Sequence, residues 1–123
     1  MNKNFWSLIK HFKPEEFACP CCGRIDMDLK FLVRLDWARS IAEIPFRITS
    51  GFRCPKHNKE IGGRPNSSHL RGLAADIACS NSEERYKIIN ALIMVGFKRI
   101  GIADSFIHVD YDLTKPQGVI WVY

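Results

Sequence analysis

The chain has 123 residues, 46% apolar and 25% charged, which suits one globular domain and excludes disorder by composition. Lys and Arg outnumber Asp and Glu by 18 to 13, and the net charge of +5 favours an anionic partner without choosing among nucleic acid, acidic membrane and cell wall. The longest apolar run, Ala91 to Phe97, falls far short of the about 20 residues a bilayer span needs, and the first residues lack a secretory apolar core, so we expect no membrane span and synthesis in the cytoplasm.

In chain order, residues 1–27 read as an irregular leader packed on a single domain that spans 1–123. Within it, Pro14 to Phe17 has the chemistry of one helical turn, with Pro at a first helical position and acids at the positive end. A helix is predicted from Asp28 to Ala42, with Asp28 as N-cap and Leu29, Leu32, Val33, Leu35, Trp37 and Ile41 as its apolar stripe; Phe31 and Ala38 blur that stripe. Phe46 to Thr49 reads as a short strand, Pro55 to Ile61 as a short helix and residues 62–66 as loop. Leu73 to Cys79 reads as a strand of small residues. A helix over about 82–95 follows, stopped by Gly96, and then three strands over 99–103, 106–111 and 119–122. Helices set between two β-rich stretches predict an α+β fold with a small, mainly antiparallel sheet flanked by helices.

Two segments carry chemistry. In Ser67 to Asp76, Gly72 breaks the chain between His69 and Asp76, so a turn followed by a strand can bring both side chains to one point. In Phe106 to Tyr111, period-two alternation puts His108 and Asp110 on one strand face and Ile107 and Val109 on the other. Two imidazoles and a carboxylate form a three-ligand zinc set with a fourth position left open. Each pattern alone is common in a surface pair or a satisfied core histidine.

Taken together, the residues carry a resemblance. The block Ser67-x-His69-x-x-Gly72-x-Ala74-x-Asp76 followed by a strand histidine resembles the zinc D-Ala-D-Ala carboxypeptidase family of peptidoglycan peptidases, which has the hedgehog/DD-peptidase fold, and within it the small phage and bacterial cell-wall branch. The likeness extends through His11-Phe12-x-Pro14-x-Glu16-Phe17, Ser50-Gly51-Phe52-Arg53-Cys54-Pro55, Asn58, Gly62-Gly63, Gly96-Phe97, Ile107 to Asp110 and Trp121. It implies one catalytic zinc ion held by His69, Asp76 and His108, and Arg53 and Ser67 as substrate-binding groups. For Ser67 a local backbone cap is the competing role. Familiar members place an acidic general base three residues before the last zinc histidine, where this chain has Ser105. Two acids stand near: Asp110, taken as the catalytic proton shuttle, and Asp104, the runner-up. The competing role for Asp110 is to orient a zinc ligand.

The expected activity is hydrolysis of a peptide bond in peptidoglycan stem peptides or cross-links, as a carboxypeptidase or an endopeptidase of endolysin type. The enzyme would act as a monomer on the cell wall and be released during phage lysis. A second reading is a wall-binding domain that keeps the metal cage without catalysis. Cys19-x-x-Cys22 and Cys54-x-x-His57 have structural-zinc spacing and could together form a second, structural zinc site, or, as a third reading of the chain, a nucleic-acid-binding zinc module. The basic residues are scattered rather than striped, so no nucleic-acid partner is expected and the cysteines read as free or partly paired thiols.

Overall fold

A computed structural model describes residues 3–123. The helices are α1 (Leu29–Ala42), α2 (Pro55–Glu60) and α3 (Ser82–Met94); the strands are β1 (Ile48–Ser50), β2 (Ala74–Ala78), β3 (Arg99–Ile102), β4 (Phe106–Asp110) and β5 (Val119–Val122). The strands form one five-stranded sheet in the order β1-β2-β4-β3-β5, antiparallel except for the β3–β5 pair. The fold is thus α+β with a mainly antiparallel sheet, as the sequence predicts. No helix among the described residues is long and apolar enough to cross a membrane.

The helices start where cap chemistry puts them. Asp28 accepts the Phe31 N–H at 3.0 Å, and Asn81 accepts the Glu84 N–H at 2.8 Å, each satisfying a donor that the first helical turn leaves unpaired. The face that α1 buries differs from the predicted stripe. Phe31, Leu32, Leu35 and Ala38 are fully buried, whereas Trp37 and Ile41 are exposed. Asp36 is buried with them because its carboxylate accepts the backbone N–H groups of Lys10 and His11, at 2.8 and 2.9 Å. An acid on the inner face therefore caps the leader, a contact that helical periodicity cannot announce.

Helices α1 and α3 pack on each other and supply Leu32, Leu35, Ile88 and Leu92 to one core with Ala75, Ile77, Ile100, Ile107 and Val109 of the sheet. Burying each large apolar side chain contributes about 1.5–3 kcal/mol. The leader joins this core through Ile9, Phe12 and Phe17. It is more regular than expected, with 3-10 turns at Lys3–Leu8 and Pro14–Phe17. Alternation along β2 and β4 then leaves Asp76, His108 and Asp110 on the sheet face turned away from that core.

Candidate metal centre and its cavity

One row of residues crosses the whole sheet. Ser50 pairs with Asp76, Asp76 with His108, His108 with Gly101, and Gly101 with Trp121. Residues in register on adjacent strands share a face, so this row is the floor of the site. Gly101 is glycine for a reason of space: a Cβ there would lie 2.6 Å from Nε1 of Trp121. The gap lets the Trp121 ring lean over to His108, with ring centroids 5.5 Å apart.

His69 reaches the same point from outside the sheet. It lies in a 3-10 turn, Ser68–Arg71, that starts with the Ser67 Oγ accepting the His69 N–H at 3.2 Å. Gly72 ends the turn with φ +68, and a Cβ there would come within 1.9 Å of the Asp26 carbonyl oxygen. Only glycine meets both conditions, the left-handed backbone and the close approach of the leader.

The donor atoms of His69, Asp76 and His108 all lie within 4.8 Å of one another. All three side chains are buried. The outer nitrogen of each imidazole is already engaged: His69 Nδ1 lies 2.8 Å from the Gly51 carbonyl oxygen, and His108 Nε2 lies 2.8 Å from Asp110 Oδ2. A carbonyl only accepts, so His69 carries its proton on Nδ1. Its bare Nε2 therefore faces Asp76 Oδ1 at 3.4 Å, and His108 Nδ1 faces the same oxygen at 2.9 Å. Burial holds His69 below the ordinary imidazole range, against the pull of Asp76, which keeps that lone pair free. Burial also pushes His108 down, but its bonds to Asp110 and Asp76 outweigh this and hold it above the ordinary range. For Asp76 desolvation pushes up, yet the two histidines bring its carboxyl below the usual carboxylate range. A nitrogen lone pair turned toward an ionised carboxylate is an arrangement that a cation relieves. Two imidazoles and a carboxylate suit zinc, so the residues fit that ion.

A cavity of about 470 Å³ opens over this floor, lined in part by Arg53, Arg64, Arg99 and Lys115, with an aromatic wall of Phe106, Trp121 and Tyr123. Arg53 points into it from the loop after β1. Its Nε donates to Ser50 Oγ at 3.0 Å, and its terminal nitrogens reach Asn58 Oδ1 and Asp76 Oδ2, each at 3.4 Å. Ser67 also lines the cavity, and its hydroxyl is the cap of the His69 turn.

Of the two candidate proton shuttles, Asp110 lines the cavity and Asp104 does not. Asp110 is buried, with Oδ2 on His108 Nε2 and Oδ1 accepting from Arg99 Nε at 2.8 Å and from the Asp112 N–H at 3.2 Å. It holds the edge of the His108 ring that faces away from Asp76. It lines the cavity as well as bonding His108, so its contacts serve either of its two roles, proton shuttle or carboxylate that orients a ligand. Asp104 lies in the exposed β3–β4 turn with Ser105, and neither residue lines the cavity.

Sequence reasoning missed Arg64, Arg99, Lys115 and Asp112. Asp112 is fully buried, accepts from Ser68 Oγ at 2.7 Å, and pairs with Arg71 and with Lys115. The only signal for these residues is their place in three dimensions. The cysteines are free thiols, as expected, but their grouping differs from the one the spacing suggests. The sulfurs of Cys19, Cys21, Cys22 and Cys54 gather, all within 4.8 Å, and His57 is not among them.

The family described as Peptidase M15 matches this chain over residues 10–110, which takes in the leader from Lys10 on, the Arg53 loop and all three residues of the buried His/Asp cluster. No curated protein matches the chain.

Proposed function

This chain belongs to the peptidase M15 family of metallopeptidases, and we propose that it is a zinc peptidase that hydrolyses a peptide bond in peptidoglycan stem peptides or their cross-links. The observation that carries this reading is the inward convergence of His69 Nε2, an Asp76 carboxylate oxygen and His108 Nδ1 beneath a cation-lined cavity.

These three groups would hold the ion. The chemistry zinc supplies when bound is Lewis acidity, which polarises a carbonyl and makes water a nucleophile near neutral pH. The rest is done by the chain's own side chains. The Gly51 carbonyl and the Asp110 carboxylate fix the tautomer and the tilt of the two imidazoles. Arg53, held by Ser50 and Asn58, offers its guanidinium edge to a substrate carboxylate or carbonyl, a role its planar fork suits better than a lysine would. Arg53, Arg64, Arg99 and Lys115 outnumber the acids Asp76 and Asp110 along the walls, although Arg99 is paired with Asp110 and Lys115 with Asp112, and the surplus favours the anionic ends of stem peptides. Trp121 and Tyr123 give the cavity an aromatic wall on one side. Asp110 is read as a positioning residue in this scheme.

The test is digestion of purified peptidoglycan followed by mass analysis of the soluble muropeptides. New fragments that disappear with chelator and return with zinc support the proposal and identify the bond. Binding to the wall without any new fragment would overturn it in favour of a non-catalytic wall-binding domain.

A further inference from the structure

Outside the cavity, the molecule gathers a second set of soft donors. Cys19, Cys21, Cys22 and Cys54 bring their sulfurs within 4.8 Å of one another, and none is in a disulfide. Packing does not account for the group. Cys19 and Cys54 are buried, but Cys21 and Cys22 are exposed and add nothing to the core.

The backbone builds this arrangement from two segments. The Phe52 N–H donates to the Phe17 carbonyl at 2.9 Å, and Gly51 lets the chains approach, since a Cβ there would fall 2.6 Å from the Phe17 Cα. Two residues further along each segment stand Cys19 and Cys54, and the Cys54 N–H donates to the Cys19 sulfur at 3.4 Å. Residues 19–24 then double back through Gly23 N–H to Cys19 carbonyl and Cys19 N–H to Arg24 carbonyl bonds, both 2.8 Å. That turn presents three cysteine side chains to the fourth. Cys54 itself caps α2, its sulfur accepting the His57 N–H at 3.4 Å.

The chemistry of the cluster is that of a metal cage. Cys21 and Cys54 sulfurs are 3.3 Å apart, too far for a disulfide bond of about 2.05 Å. Four sulfurs at about 2.3 Å from a tetrahedral zinc ion stand roughly 3.8 Å from one another, a spacing of the same order as the cluster's. The Arg24 guanidinium lies over the Phe52 ring at 5.3 Å and pairs with the Asp26 carboxylate.

We propose that Cys19, Cys21, Cys22 and Cys54 hold a second, structural zinc ion that fastens the leader to the segment carrying Arg53. A closed set of four thiolates leaves no open position for substrate, so the ion would stabilise and not catalyse. The inference does not depend on the peptidase reading. It concerns different residues and is read by a different signal.

The test uses the intact chain, purified under reducing conditions without added metal. Zinc content by elemental analysis should give two equivalents for the wild type and one for His69→Ala. Exchange into cobalt should give a near-ultraviolet sulfur-to-cobalt charge-transfer band in both proteins. Cys22→Ser, at an exposed position, should lose one equivalent and that band. Where Cys22→Ser does not fold, the wild-type and His69→Ala spectra decide alone. Absence of the band would overturn the proposal, as would four freely reactive thiols in the native protein, or a loss of two mass units that marks a disulfide. Iron in place of zinc would overturn the assignment of the ion.

Discussion

His69, Asp76 and His108 are carried by a capped turn and two paired strands, whereas Cys19, Cys21, Cys22 and Cys54 are carried by loop and by one helix cap. The first set mixes nitrogen and oxygen donors, opens onto a cavity, and has its outer nitrogens pinned by Gly51 and Asp110. The second is all sulfur, and its outer contacts are backbone N–H groups. A mixed set with an exposed side suits an ion that must meet substrate, while a closed thiolate set suits one that must stay put. Sheet register sets Asp76 beside His108 whether or not metal is bound. The cysteines join two segments that already meet at the Phe52–Phe17 hydrogen bond and the close approach of Gly51, so their ion would add to the stability of that junction.

Two variants break the comparison at its strongest points. His69→Ala should abolish peptidoglycan cleavage and remove one metal equivalent, yet leave the thermal midpoint close to that of the wild type with its metal-free cavity. Elemental analysis and muropeptide release check both. Cys19→Ser should do the reverse, retaining the cavity metal while the midpoint falls by on the order of 10 °C, since each kcal/mol is worth roughly 3–6 °C in a chain of this length. Calorimetry measures the shift. If Cys19→Ser instead empties the cavity and leaves the midpoint alone, the division of roles is wrong.

What could be read from the chain beforehand follows the range of the interaction. Strand alternation is local, so the shared face of His108 and Asp110 was legible, and so was the cap at Asp28. The inner face of α1 was not, because Trp37 and Ile41 are apolar yet exposed, and Asp36 is acidic yet buried against Lys10 and His11, 26 and 25 residues away. The Cys19-x-x-Cys22 turn was legible as a unit. Its partner set was not, because α2 directs the backbone of His57, and not its ring, at the Cys54 sulfur. The cations of the cavity come from separate loops and strands, and nothing in their spacing joins Arg64 to Arg99 or Lys115.

The seam between the two clusters can be probed directly. Gly72 follows the His69 turn and abuts Asp26, a few residues past the cysteine turn, and its carbonyl accepts the Asp28 N–H at 3.0 Å. Gly72→Ala should cost about 2–4 kcal/mol, combining left-handed strain with displacement of leader backbone. Gly118 has a similar φ of +73 but nothing within 4 Å of a Cβ, so Gly118→Ala isolates the strain and should cost about 1 kcal/mol. Urea unfolding of the pair measures the difference, and equal costs would show that the leader yields freely at this point.

The smallest expected effect separates the two roles open to Asp110. Its carboxylate accepts from His108 Nε2, Arg99 and the Asp112 N–H, so little of it is left to take up a proton, and it lies on the ring edge opposite Asp76. A carboxylate in that place keeps a ligand imidazole in one tautomer and one orientation. Asp110→Asn has nearly the same shape and can accept the same bond, but with less charge. The expected outcome is a zinc affinity lowered about 10–100-fold, with turnover at saturating zinc within about tenfold of the wild type. A shuttle would show the opposite split: affinity unchanged and turnover down by about 10²–10⁴-fold at full zinc occupancy. Asp104→Asn, in the exposed β3–β4 turn, serves as the reference and should leave both quantities unchanged. Competitive zinc titration with a chromophoric chelator, run beside the cleavage assay, reads the two quantities separately. A dead Asp110→Asn with its zinc intact would make Asp110 the proton shuttle and not a positioning residue.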